Sequence, residues 1–118
     1  MQVKKLRQVF IVAADLDAQV RFYGETLGLA LQFRDGDRWV QFQAGDVSIA
    51  LAGAAEGMGA PLNVPVPVFE VSDLDAALRE IAAHGHVTHG VRDMGGHGRS
   101  AAVEDPAGTF LVLFQRPA

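Results

Sequence analysis

The sequence predicts an α+β fold in which two βαβββ modules pair into a curved mixed sheet around a central cavity. Three observations predict it. The first is an internal repeat. Val12-Ala13-Ala14-Asp15-Leu16-Asp17-Ala18 is echoed by Glu70-Val71-Ser72-Asp73-Leu74-Asp75-Ala76, and a repeat near half the chain length means two copies of one unit. The second is a helical face after each Asp-Leu-Asp-Ala, and the third is a run of three strand signals after each helix.

Leu6–Ala13 and Val66–Val71 are the apolar strands that open the copies. Asp15 and Asp73 then suit N-caps, because a carboxylate accepts from the free amides of a first helical turn. Large apolar residues follow at Leu16, Val20, Tyr23 and Leu27, and again at Leu74, Leu78 and Ile81, each set forming one helical face. Gly28 and Gly85 stop the helices. Strands are expected at Leu29–Arg34, Arg38–Gln43 and Val47–Ala52. Their counterparts are Val87–Arg92, Arg99–Glu104 and Thr109–Gln115. Asp35-Gly36, Ala44-Gly45-Asp46 and Pro106-Ala107-Gly108 supply the turns. The expected organisation is one domain over residues 1–118, with module one at 1–53, a linker at 54–64 and module two at 65–118. One such module has a helix on one face of its sheet and nothing on the other. Pairing the bare faces around a cavity gives a natural ligand site.

Composition narrows the function. Hydrophobic residues make up 49 % of the 118 and charged residues 20 %, which is enough for a packed core and argues against disorder. Net charge is -4 and the Lys and Arg residues are scattered, so the clustered basic footprint of a nucleic-acid binder is missing. The chain has no cysteine, which removes disulfides, thiol catalysis and cysteine–zinc sites. No signal-peptide pattern or membrane-length apolar run stands out, so the expected location is the cytoplasm.

Two motifs carry a resemblance. Asp15-Leu16 is followed by Arg21-Phe22-Tyr23 and Leu27-Gly28-Leu29, and Glu104-Asp105-Pro106-Ala107-Gly108 stands before the last strand. With the βαβββ order, they resemble the vicinal-oxygen-chelate superfamily, which includes glyoxalase I, extradiol dioxygenases, fosfomycin-resistance enzymes and bleomycin-binding proteins. The resemblance covers nearly the whole chain and implies the fold. Because one fold hosts many chemistries, it does not imply an activity. Metal-using relatives take their ligands from the first and last strands of each module. Carried over by the resemblance, those places are Gln8, Ala50, Val66 and Val112. Only glutamine among them offers a donor atom, whereas a catalytic divalent metal needs about three. The expectation is therefore no metal and no cofactor.

Other side chains are candidates for chemistry. His97 lies in the Gly-rich loop Met94–Arg99, where relatives place a substrate-contacting residue, and an imidazole titrates near neutral pH. Glu70 stands in an apolar strand beside Val71. These two are the candidate acid–base residues. His84, at the end of the second helix, reads as a cap; His86 and His89 follow it, away from the cavity strands. Arg99 could hold a ligand's carboxylate or phenolate. Strand alternation places Gln8, Phe10, Val12, Trp39, Gln41, Gln43, Ala50, Val66, Phe110, Val112 and Phe114 on the cavity side, with Val40 and Phe42 under the helix.

That lining suits a flat or apolar compound better than a metal. The favoured function is metal-independent binding of a small molecule, such as sequestration of an aromatic antibiotic. Phe10, Trp39 and Phe114 would pack on it, and Gln8, Gln41 and Arg99 would fix its polar groups. The resemblance implies a homodimer. The alternatives are a metal-free isomerase or lyase using His97 or Glu70, a glyoxalase- or dioxygenase-like metalloenzyme with shifted ligands, and a structural domain whose cavity is filled.

Overall fold

The first strand runs farther toward the amino terminus than its apolar pattern suggests. In the computed structural model, which describes residues 1–118, β1 spans Val3–Val12. The elements that follow are α1 (Leu16–Arg21), β2 (Ala30–Asp35), β3 (Trp39–Ala44), β4 (Val47–Ala52), β5 (Pro65–Val71), α2 (Leu74–Ala83), β6 (Thr88–Asp93), β7 (Arg99–Glu104) and β8 (Phe110–Gln115). The class is α+β and the order is βαβββ twice. No helix is long and apolar enough to cross a membrane.

Two compact units are present: Gln8–Val66, and Met1–Arg7 together with Pro67–Ala118. In the Gln8–Val66 unit the strand order is β2-β3-β4-β1. β1 lies parallel to β4, and β3 is antiparallel to both β2 and β4. One face of this sheet meets the helix: Ile11, Val40, Phe42 and Leu51 pack with Leu16, Val20 and Tyr23. Asp15 caps α1 by accepting from the Ala18 amide at 3.1 Å. The expected helix from Leu16 to Leu27 is regular only to Arg21. Phe22–Thr26 widens into a π-helical turn, closed by Leu27 N–H donating to the Phe22 carbonyl at 2.9 Å. Gly24, a poor helix former, lies there against the Phe42 ring; a β-carbon would stand 3.2 Å from Phe42 Cε1.

In the other unit the order is β5-β8-β7-β6. Val71, Leu74, Ala77, Ile81, Ala101, Val103 and Leu113 form the core between the sheet and α2. Asp73 caps α2 through the Ala76 amide at 3.1 Å, and Gln115 Oε1 accepts from the Leu74 amide at 2.7 Å. The hairpin motif has a local cause. Asp105 accepts from the amides of Ala107 at 2.9 Å and Thr109 at 2.8 Å, an Asx turn that feeds β8. The Thr109 amide holds the Asp105 carboxyl below its usual range. The repeat extends to irregularities: both β2 and β6 carry a bulge, at Gln32 and Gly90.

Candidate functional site

On the face of the Gln8–Val66 unit away from α1, the register sets Gln41 and Phe10 opposite Ala50, and Trp39 opposite Ala52. Five residues expected to bind ligand therefore share one face: Gln8, Phe10, Trp39, Gln41 and Ala50. Phe10 and Ala50 are buried and form its packed floor, whereas Gln8, Trp39 and Gln41 are half-buried. The Phe10 and Trp39 rings stand 5.9 Å apart, tilted by 43°.

The amides on this face form a directed relay. Gln8 Nε2 donates to Gln41 Oε1 at 3.0 Å and to Ser48 Oγ at 2.8 Å. Gln41 Oε1 also accepts from the Trp39 indole at 2.9 Å. Gln41 Nε2 donates to Gln32 Oε1 at 2.9 Å, Gln32 to Gln43 at 3.3 Å, and Gln43 to the Gly45 carbonyl at 3.1 Å. Trp39 and Gln41 are fixed by these bonds rather than by packing alone. The amide oxygen of Gln8, at the head of the relay, has no protein donor. Gln32 stands at the bulge, between Leu31, which pairs with the helix-side Phe42, and Phe33, which pairs with Gln41. No facing was assigned to this strand from the sequence, and alternation from Leu31 was the signal that points Gln32 to this face.

The remaining candidates lie elsewhere. Val66, in β5, is fully buried. In the second unit Val112 pairs in register with Val68, and Phe114 with Glu70, on the face away from α2. Glu70 is 3 % exposed. Its Oε1 accepts from Arg7 Nη1 at 3.1 Å and Arg116 Nε at 3.0 Å. Burial pushes its pKa up, but hydrogen bonding and charge from Arg116, the field of Lys5 and the Arg7 hydrogen bond outweigh this and hold it below 4.5. Glu70 is therefore an ionised, tied carboxylate rather than a base held near neutrality.

Arg99 is not brought to the ligand face. Its guanidinium takes Asp75, in the first turn of α2, at 3.0 and 3.3 Å, and holds that carboxyl below its usual range. His97 closes a single 3-10 turn, Gly95–His97, and is exposed. The histidine that gains a partner is His89. Its Nε2 stands 2.9 Å from Glu104 Oε2, and its ring is 5.6 Å from that of Phe110. Sequence order set His89 beside a helix end. The strand register instead pairs it with Ala102, just before the bulge at Gly90 (φ 40°), and so with the face carrying Val112.

The fold is a βαβββ repeat. A family model, the Glyoxalase/Bleomycin resistance protein/Dioxygenase superfamily, matches residues 5–113, and the chain belongs to that superfamily. An uncharacterised protein of Mycolicibacterium smegmatis is 34 % identical over 97 % of this chain and 96 % of its own. Among solved structures, a hypothetical protein from Bacillus halodurans superposes with TM-score 0.78 at 13 % identity, covering 97 % of this chain and 95 % of that one. Streptomyces coelicolor methylmalonyl-CoA epimerase superposes with TM-score 0.77 at 19 % identity, covering 99 % and 100 %. At these identities the two structures establish the shared fold.

The superfamily includes metal-using enzymes, and the residues here do not fit such an ion. At the ligand places the resemblance assigns, the side chains of Ala50, Val66 and Val112 offer no lone pair, which leaves the Gln8 amide oxygen as a single donor where about three are needed. No group of three or more His, Asp or Glu side chains is placed to hold a metal.

Proposed function

We propose that this protein binds a small organic molecule without a metal ion, on the face carrying Gln8, Gln41 and Trp39. The supporting observation is the amide relay. It ties the indole N–H to Gln41 and leaves the Gln8 oxygen as an acceptor on the face that carries Phe10 and Trp39. A flat ligand with one N–H or O–H donor fits that chemistry: its ring stacks on Trp39 and its donor meets Gln8. Trp39 is the only tryptophan, so its fluorescence reports this site alone. A thermal-shift screen of aromatic antibiotics, α-keto compounds and divalent metals tests the proposal. The expected outcome is stabilisation by an organic compound with quenching of Trp39, the stabilisation being lost in Trp39→Ala. Because a ligand present at 100 times its Kd adds about 2.7 kcal/mol, a true hit is easily seen. Stabilisation by metals and by no organic compound would reverse the proposal.

The His89–Glu104 pair favours a second reading, acid–base catalysis without a metal. A carboxylate 2.9 Å from the ring orients the imidazole. The fold shared with an epimerase suggests a test reaction, proton abstraction next to a carbonyl. Its signature is exchange of the α-proton of methylmalonyl-CoA or an α-keto acid in D2O, followed by NMR. Exchange above the buffer rate that disappears in His89→Gln supports it; buffer-rate exchange with every compound rejects it.

A further inference from the structure

Around Glu70 the charges do not cancel. One buried carboxylate faces two guanidiniums, and Lys5 adds its field to the same group. A guanidinium carries five N–H donors. Arg7 and Arg116 each commit one to Glu70, and neither makes another hydrogen bond. Their side chains remain 38 % and 58 % exposed, against 4 % for Glu70. Arg7 is also held from the side: its guanidinium carbon lies 4.3 Å from the centre of the Phe114 ring. The buried anion thus anchors two cationic forks whose unused donors solvent can reach. In a chain of net charge -4, such a local surplus is where an anion would be drawn.

We propose that Arg7 and Arg116 form an oxyanion-binding site for a carboxylate or phosphate group, with Glu70 and Phe114 as positioning residues. A planar fork matches two oxygens of one anion, and a fork already immobilised loses less entropy on binding. The site shares no residue with the Trp39 face, so either proposal can fail alone.

The test follows the arginine Nε–H signals of the 15N-labelled full chain by NMR. Sodium phosphate is titrated in one arm and sodium acetate in the other, at constant ionic strength with chloride. The expected result is a saturable shift of the Arg7 and Arg116 signals in at least one arm, with Arg21 and Arg38 unmoved. The arm that saturates at lower concentration identifies the oxyanion. Arg116→Lys keeps the charge opposite Glu70 and removes the planar fork, so binding should weaken roughly fivefold or more. Arg7→Gln should weaken it as well, while Arg21→Gln should leave it unchanged. Shifts that grow linearly with salt in both arms, that appear equally at Arg21, or that survive Arg116→Lys undiminished would overturn the proposal.

Discussion

A buried carboxylate held by two arginines contributes through its charge, and its removal is asymmetric. Glu70→Gln keeps the volume but leaves Arg7 and Arg116 facing a neutral amide. Because both arginines reach solvent, the expected loss is roughly 2–3 kcal/mol, below that of a fully enclosed pair. The pH dependence follows from the lowered pKa. The folded value lies below the ordinary 4.5, so the contribution is complete above that pH and fades as pH falls through the folded pKa. Urea unfolding should show wild type well above Glu70→Gln at pH 7, with the gap narrowing under acid. A gap that widens on acidification would contradict the assigned charge state. At this scale the sequence was only partly legible. Alternation placed Gln8, Trp39, Gln41 and Phe10 on one face. It left out Gln32, in a strand whose facing it did not assign, and His89, which the chain order sets beside a helix end although its strand register brings it to Ala102.

Element boundaries were legible where one residue type has a single physical use. Asp15 and Asp73 cap as their spacing demands, and Gly28 and Gly85 take positive φ of 74° and 78° at the helix ends. Asp73→Ala should lower stability by about 1 kcal/mol, less than a core truncation, because water can replace the cap. The π-helical turn was not legible, since the apolar spacing reads as an ordinary helix through Leu27 and the close neighbour of Gly24, the Phe42 ring, is distant in sequence. Two loop glycines offer a sharper contrast. Gly98 has φ 97°, and a β-carbon there would fall 2.5 Å from the Gln115 carbonyl and 2.9 Å from the Phe114 ring. Gly108 has φ 84° with open space around it. Gly98→Ala should therefore cost roughly 3 kcal/mol or more, combining backbone strain with overpacking, and Gly108→Ala only about 1–2 kcal/mol. Thermal melts of the two variants under one buffer check the order; equal losses would mean the close approach to β8 is not maintained.

At the scale of the whole molecule, the sequence repeat and the compact units do not coincide. The repeat divides the chain between modules, but Met1–Arg7, the beginning of the strand that opens the first module, groups with the second. The contacts are specific. Arg7 holds Glu70 and covers Phe114, and the Gln2 carbonyl accepts from the Ser72 amide at 3.2 Å. Nothing in the motif spacing reveals this, because the partners are brought together by the folded chain and not by a shared period. A fragment of residues 65–118 keeps every element of the second module but loses those contacts. It leaves a buried carboxylate with one of its two arginines, in a length range where a core alone gives marginal stability. That fragment should melt without a cooperative transition, while the intact chain melts in one step, since β1 runs from one unit into the other. Appending residues 1–7 after Ala118 through a flexible Gly/Ser linker should restore part of the cooperativity, and the same addition with Arg7→Gln should restore less. Circular dichroism melts of the three polypeptides decide it: a sharp transition in the bare 65–118 fragment would show that the amino-terminal residues are dispensable to that unit.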